Sequence, residues 1–133
     1  MAKILAVGIA TLDIVNVVAD FPRENEEVRA LSQQKSRGGN ATNTLTVLSQ
    51  LGHQCAWAGV LVDEADSQFI KDELRDFNID FRLCRQLSTG KIPTSYITLN
   101  QQTGSRTIVH HRDCPEFSFA DFKAIDLSQF DWI

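Results

Sequence analysis

Two adjacent glycines followed by an asparagine, at residues 38–40, constrain this chain more than any other stretch. They lie between a weakly alternating segment, residues 28–36, and an apolar-periodic run that begins at Leu45 and stops at Gly52. Adjacent glycines permit positive φ and let the backbone pass close to a bound molecule. Asn40 is a residue type that favours the helix N-cap, and Gly52 occupies the position that commonly ends a helix. The stretch predicts a tight turn that leads into a helix.

The predicted start of this helix is also a candidate binding site. The first turn of a helix presents unpaired N–H donors and a partial positive charge. Asn40 and Asn43 are three residues apart, so both amides can point from the same side of that turn. Such a pocket suits the hydroxyl groups of a ligand or an anion, although an ordinary capped helix after a turn has the same residue types.

Composition and charge exclude several classes of protein. The chain has 133 residues, which is enough for one domain with a core. Its net charge is −4 and it has no basic run, which argues against a nucleic-acid partner or an anionic membrane surface. No apolar run is long enough for a transmembrane helix, and the N-terminus has no signal-peptide pattern. The three cysteines form no metal motif, so we expect reduced thiols in a cytoplasmic protein and no metal site.

Strands and helices alternate through the first part of the chain. Residues 3–8 form a short apolar run that ends in glycine, which is typical of a buried parallel strand. Further strands are predicted at 54–60 and 81–84, with an amphipathic helix over 63–77 between them. This alternation predicts an α/β fold, with a mostly parallel central sheet and helices on both of its faces.

Two segments, residues 12–36 and residues 92–111, do not fit that central sheet. The first is a strand pair that is polar on one face, and the second contains a hairpin with a turn at 100–104. We expect both to contribute to a small projecting β-sheet. His110 and His111 lie in its last strand, where adjacent side chains point to opposite faces, so we assign them no shared ligand and no function.

Two charged residues need an explanation. Asp13 interrupts an apolar run, and burying a carboxylate without partners is costly. It therefore either caps a local turn with Thr11 or accepts hydrogen bonds from a polar ligand. Arg106 follows Gly104 in the hairpin. On chemistry alone it is as well explained as a solvated arginine of an edge strand as it is as a functional residue.

The sequence Arg-Gly-Gly-Asn-Ala-Thr-Asn at residues 37–43, with the helix-ending glycine after it, resembles the first signature of the ribokinase (PfkB) family of carbohydrate kinases. Within that family the ketohexokinases (fructokinases) are the most similar group. The likeness covers essentially the whole chain and continues at residues 8–13, 31–33, 104–109 and 126–130. It implies a ribokinase-like fold in which the projecting sheet, at about 12–36 and 92–111, forms a lid.

The resemblance also implies a sugar site. It implies that one group of residues orients the hydroxyl groups of a sugar, with the aspartate as a fixed acceptor; this group is Asp13, Gly38, Gly39, Asn40 and Asn43. Arg106 is implied to face the sugar or the transferred phosphate, whose oxygens suit a planar guanidinium.

A further implied contact crosses between subunits. In ketohexokinase-like dimers, which associate through the lid, an acid in the loop after the first lid strand reaches the partner's sugar site. Asn25 is the matching residue here, and it keeps hydrogen-bonding groups but loses the charge. The resemblance therefore implies a homodimer and puts in question which sugar is bound.

The implied reaction is Mg²⁺-dependent phosphoryl transfer from ATP to a sugar hydroxyl, with a ketohexose such as fructose as the acceptor. In relatives a Gly-Ala-Gly-Asp motif carries the catalytic base and part of the nucleotide site, and this chain lacks that motif. The chain ends on apolar residues typical of a strand, so we expect it to be truncated within the domain, with no catalytic residue and no activity alone.

Three alternatives stay open. One is a kinase for another sugar or a nucleoside, such as ribose, 2-keto-3-deoxygluconate or adenosine. Another is a non-catalytic sugar-binding module that uses the same Gly-Gly-Asn pocket. The last is a structural domain that associates through its lid strands.

Overall fold

Three sheets and three α-helices make up the fold, and the computed structural model describes all residues from 1 to 133. The elements in chain order are β1 (Lys3–Val7), β2 (Thr11–Val18), β3 (Ser32–Gly38), α1 (Asn40–Gln50), β4 (Gln54–Ala58), β5 (Val60–Val62), α2 (Ala65–Asp76), β6 (Ile79–Asp80), β7 (Arg85–Leu87), β8 (Lys91–Asn100), β9 (Arg106–Asp113) and α3 (Phe119–Lys123). A short 3-10 helix at Leu127–Gln129 follows them.

The central sheet consists of three parallel strands in the order β1-β4-β6. On one of its faces, Trp57 and Leu45 belong to a buried cluster that also includes residues of α2. On the other face, Leu5 packs with side chains of the segment 117–130. On the edge of β1 that does not pair with β4, Ile4 forms an isolated parallel bridge with Trp132. The predicted α/β fold, with a parallel sheet covered on both faces, is confirmed.

Two strand predictions need correction. The predicted strand 54–60 is divided between β4 and β5 at Gly59, and β5 pairs with β7 in a separate two-stranded sheet. The predicted strand 81–84 is wrong, because this segment is a turn between β6 and β7. The reason is local: the Asp80 carboxylate accepts a hydrogen bond from the Arg82 backbone N–H at 2.9 Å, which stabilises a turn in place of an extended chain.

The second large sheet has the strand order β3-β2-β8-β9 and contains both segments that were expected to project from the central sheet. β2 runs parallel to β8, and the edge strands β3 and β9 pair antiparallel. We call these four strands the projecting sheet. β3 begins only at Ser32, four residues later than the alternating pattern of residues 28–36 indicates. Its sequence, Ser-Gln-Gln-Lys-Ser-Arg-Gly, shows little apolar alternation because most of this edge strand is exposed.

The turn between β3 and α1 differs from its prediction in one respect. Gly39, with φ of 106°, is the N-cap of α1, and Asn40 is the first helical residue. No side chain caps this helix end. A Cβ atom on Gly39 would lie 2.1 Å from the carbonyl oxygen of Ile9. The N-cap position is therefore a glycine because two backbones approach closely there, and not an asparagine that caps the helix with its amide.

The other end of α1 follows its prediction. Gly52 has φ of 89° and directly follows the C-cap Leu51. Its N–H donates to the Ser49 carbonyl at 2.9 Å, and the next N–H, from His53, donates to the Leu48 carbonyl at 3.1 Å. These two bonds form a Schellman motif, which satisfies carbonyls that the end of a helix leaves unpaired.

A cluster of charged side chains joins α2 to the projecting sheet. Lys91 of β8 forms ion pairs with Glu64, at 2.9 Å, and with Asp66. Lys35 of β3 lies 3.6 Å from Asp66. Glu64 also accepts a hydrogen bond from the backbone N–H of Ile92 at 2.8 Å. The start of α2 is thereby attached to two strands of the projecting sheet.

This cluster predicts a pH effect on stability. The hydrogen bond from Lys91 holds the pKa of Asp66 below its usual range. A lowered folded-state pKa stabilises the fold above the unfolded-state pKa, near about 4, and the contribution is lost as the pH falls through the folded-state value. We expect Asp66→Asn to reduce the loss of stability between about pH 4 and pH 2, measured by urea unfolding. Asp63→Asn, at an exposed side chain outside the cluster, is the control, and an equal effect of both variants would contradict the prediction.

The Gly39 turn predicts a second effect on stability. Alanine at this position requires a strained φ and a contact with the Ile9 carbonyl, so we expect Gly39→Ala to lower the free energy of unfolding by roughly 2–6 kcal/mol. Gly52→Ala is the matched control, because Gly52 also has positive φ but has no atom within 4 Å of the added Cβ. It should cost only the strain of φ, roughly 1–2 kcal/mol. Equal losses in denaturant unfolding would show that the contact with Ile9 is unimportant.

Candidate functional site

The projecting sheet has one face against α2 and one face turned away from it. On the face toward α2, Leu12 is completely buried, and the Nε atom of Arg37 lies 3.5 Å from a carboxylate oxygen of Glu73 on α2. Alternate residues of a strand point to opposite faces. Asp13 therefore points away from α2, and we call this side of the sheet the Asp13 face.

The two carboxylate oxygens of Asp13 have different surroundings. Oδ1 accepts a hydrogen bond from the Thr11 hydroxyl at 2.9 Å. Oδ2 accepts no hydrogen bond within the protein, and it lies 2.5 Å from the place where a Cβ atom on Gly38 would be. The expected turn with Thr11 is wrong, because Thr11 and Asp13 both belong to β2 and their hydrogen bond lies within the strand, while the Oδ2 atom keeps no partner within the protein.

Gly38 matters because it pairs with Thr11 across β2 and β3 and lies beside the carboxylate of Asp13. A Cβ atom at this position would also lie 2.5 Å from the Thr11 hydroxyl. Any larger residue would therefore displace the carboxylate. Together with Gly39, which brings the start of α1 against Ile9, Gly38 places the unpaired N–H groups of a helix N-terminus close to a carboxylate.

The two predicted amides have different neighbours. The Oδ1 atom of Asn43 accepts a hydrogen bond from Nη1 of Arg37 at 3.1 Å, and Nη2 of Arg37 donates to the Thr46 hydroxyl at 2.6 Å. Asn40 lines an open groove of about 680 Å³ between α1 and β1, whose walls are mostly apolar. Both asparagines are exposed at the start of α1, and the Nδ2 group of Asn43 makes no bond within the protein.

A row of polar side chains continues from Asp13 across the projecting sheet. Ser36 and Ser95 are the cross-strand partners of Asp13 on its two sides, and His110 is the partner of Ser95. The Ser95 hydroxyl lies 3.0 Å from Nδ1 of His110. No role was expected for His110 from the sequence, because the predicted turn at 100–104 would place Ser95 opposite Val109, whereas the observed turn at 100–105 places Ser95 opposite His110.

The other predicted residues lie farther away. Arg106 is opposite Leu99 near the far end of β9, four residues and about 13 Å along the strand from His110. It is exposed and forms no ion pair within this chain. Asn25 lies in an exposed turn with φ of 61°. Within this chain, neither residue is brought beside Asp13.

Arg112, unlike Arg106, lies near the segment that joins β1 to β2. Arg112, two residues beyond His110 on the same face of β9, lines a pocket of about 240 Å³ together with Gly8 and Ile9 at the end of β1. Its guanidinium forms an ion pair with Glu116 at 2.6 Å. Arg112 was not among the predicted site residues, because nothing in the local sequence indicates that the end of β9 returns to the end of β1.

The titratable groups outside this row include three cysteine thiols. Burial raises the pKa of Cys84 to about 12 and also raises the pKa values of Cys55 and Cys114, so these thiols stay protonated at neutral pH. No group of three or more histidine, cysteine, aspartate or glutamate side chains is placed to hold a metal ion. None of the helices has the length and apolar character needed to cross a membrane.

Comparison with known proteins supports the resemblance noted above. The profile of the pfkB family carbohydrate kinases matches residues 1–129. The ketohexokinase of Mus musculus is 41% identical over 132 residues, which are 98% of this chain and 44% of that protein. The chain therefore spans less than half the length of this relative.

Solved structures show the same fold. A putative ribokinase from Agrobacterium tumefaciens superposes with a TM-score of 0.80 at 22% identity, over 98% of this chain and 42% of that one. The ribokinase of Thermotoga maritima gives 0.77 at 20% identity, over 98% and 43%. The Arabidopsis thaliana ribokinase complexed with ribose and ATP gives 0.73 at 21%, over 83% and 36%. By its fold and its sequence, this chain belongs to the pfkB family of carbohydrate kinases.

Proposed function

We propose that the protein carrying this chain is an ATP-dependent sugar kinase that phosphorylates a hydroxyl group of a ketohexose such as fructose. This chain supplies the sugar-binding half and the lid. The observation that carries the proposal is the free Oδ2 atom of Asp13, next to Gly38 and the start of α1. The identity of 41% with mouse ketohexokinase supports the choice of sugar.

In this proposal the site acts by positioning. The Oδ2 atom of Asp13 accepts a hydrogen bond from a sugar hydroxyl, and a carboxylate acceptor forms a stronger bond than a neutral one. Gly38 and Gly39 let the backbone and the α1 N-terminus approach the sugar. Asn40 and Asn43 contribute amide groups from the first turn. Holding the reacting hydroxyl in a fixed place lowers the entropic part of the barrier.

The nucleotide is assigned elsewhere. We place the ATP site, the Mg²⁺ ligands and the catalytic base outside these 133 residues, because the chain lacks the Gly-Ala-Gly-Asp motif. Structures of ribokinases with ATP or ADP support the use of ATP in the family. The proposal therefore includes no kinase activity for this chain alone.

The projecting sheet is proposed to serve as the lid and as the surface of a homodimer. All eight residues of β9 are exposed, including Ile108 and Val109, and unpaired edge strands of this kind favour association. Arg106 and Asn25 belong to this outer part of the chain. In the proposal they reach a sugar or its phosphate only after the lid closes, or across the dimer, with Asn25 entering the partner's site.

A kinase for ribose, 2-keto-3-deoxygluconate or adenosine is the second candidate. The observation that favours it is Asn25, which stands where the resemblance implies an acid that contacts a ketohexose. An uncharged amide at that contact alters which hydroxyl pattern the site prefers.

The test uses the full-length protein. We expect ATP-dependent phosphorylation of fructose, and we expect Asp13→Asn to raise the KM for the sugar by roughly 10- to 100-fold, since a hydrogen bond to a charged group contributes about 1.5–3 kcal/mol. The KM for ATP should stay unchanged. Asp76→Asn, at an exposed residue at the end of α2, is the control.

Other outcomes have defined meanings. Turnover of ribose or adenosine in place of fructose would support the second candidate. Sugar binding without ATP consumption would indicate a non-catalytic binding module. Asp13→Asn with an unchanged KM for the sugar would refute the role given to Asp13, and phosphorylation by the isolated chain would refute the placement of the base.

A further inference from the structure

We propose that His110, held in place by Ser95, is a further sugar-binding residue that contacts a hydroxyl group on the side of the sugar away from Asp13. This inference rests on the sugar-kinase function proposed above and adds a specificity contact to the same site. His110 belongs to β9, a strand whose sequence gave no reason to connect it with Asp13.

The register of the projecting sheet carries the inference. Asp13 pairs with Ser95, and Ser95 pairs with His110, so the three side chains form one row on the Asp13 face. Neighbouring strands are about 4.8 Å apart, which places the Cα atoms of Asp13 and His110 about 10 Å apart with Ser95 between them. Ser95 is only 9% exposed, whereas His110 is exposed. Ser95 is therefore recessed in the middle of the row, with the polar side chains of Asp13 and His110 on either side of it.

The hydrogen bond to Ser95 determines which atom of the imidazole faces outward. Nδ1 of His110 lies 3.0 Å from the Ser95 hydroxyl, and Nε2 has no partner within the protein. When Ser95 donates to Nδ1, the outward Nε2 carries the proton and acts as a donor; in the other neutral tautomer Nε2 is an acceptor. A hydroxyl group can pair with either form, because it both donates and accepts.

The arrangement selects a class of ligand. The two free positions in the row are the Oδ2 atom of Asp13 and Nε2 of His110, on either side of a buried serine. A compound with a single hydroxyl group can use only one of them. A polyhydroxylated compound with hydroxyl groups on opposite edges, such as a hexose, can use both.

The neighbours of His110 on the Asp13 face do not offer the same contact. Ile108 is apolar, and the guanidinium of Arg112 is paired with Glu116. The competing explanation is that the bond between Ser95 and His110 only stabilises the β8–β9 pair, as cross-strand polar pairs do. The experiment separates the two explanations because a structural role would change stability without changing the affinity for one particular hydroxyl.

The experiment measures steady-state kinetics of the full-length kinase with His110→Leu and His110→Gln. His111→Leu is the matched control, since His111 is adjacent but points to the opposite face of the strand. We expect His110→Leu to raise the KM for the sugar about 3- to 10-fold, the loss expected for one neutral hydrogen bond. The KM for ATP and kcat should change less than about 2-fold, and His110→Gln should restore part of the affinity.

A series of monodeoxy sugars identifies the contact. We expect the wild-type enzyme to bind one of these analogues about 3- to 10-fold more weakly than the parent sugar, and His110→Leu to bind that analogue and the parent equally. Should His110→Leu lower the melting temperature, the wild-type series and His110→Gln still decide the question. Ser95→Ala is expected to give a smaller increase in KM than His110→Leu, because it frees the imidazole to rotate.

Three results would overturn the inference. If Asp13→Asn raises the KM for the sugar and His110→Leu does not, the contact with His110 is wrong and the sugar site stands. If His110→Leu and His111→Leu have equal effects, the role of His110 is structural. If the wild-type enzyme phosphorylates no sugar, the proposed function fails, and the inference fails with it.

Discussion

The close approach of the Gly38–Gly39 turn to the segment from Ile9 to Asp13, which follows β1, is the constraint on which the rest of this structure depends. Gly39 leaves no room for a side chain against the Ile9 carbonyl, and Gly38 leaves none against Asp13 and Thr11. The two contacts bring the N-terminus of α1 beside a carboxylate. With larger residues here, the helix and the strand would have to separate, and a cluster of donors and an acceptor would not form.

The same turn lies where the two larger sheets meet. β3 ends in the projecting sheet at Gly38, and α1 then packs on the central sheet. α2 covers both sheets, because Ile70 and Leu74 enter the core while Glu64 and Asp66 bind Lys91 of β8. The projecting sheet is consequently anchored at the end that carries Asp13. Its outer end, with Arg106 and the 101–104 turn, is exposed.

Local chemistry explains which predictions were correct and which failed. The Gly52 helix end and the β8–β9 hairpin follow from short-range preferences, so their sequences identify them. The prediction of a strand at 81–84 was wrong because the Asp80 carboxylate accepts a hydrogen bond from the Arg82 backbone N–H and stabilises a turn. The apolar content of the segment does not reveal this bond. Asn40 is a residue type that favours the N-cap, but Gly39 occupies that position. The backbone of Ile9 passes so close that only glycine fits there, and this contact joins residues far apart in the chain.

The sequence by itself determined the Gly-Gly turn, the helix after it, the parallel α/β fold and the family, because glycine spacing and apolar periodicity act over a few residues. It also identified Asp13 as a residue that needs polar partners. Only the tertiary structure decided which oxygen of Asp13 stays free, that Asn43 bonds to Arg37, and that Ser95 and His110 share a row with Asp13 while Arg106 does not. Those facts depend on the register between strands that lie about 80 residues apart in the sequence, where the side chains meet only after the sheet has formed.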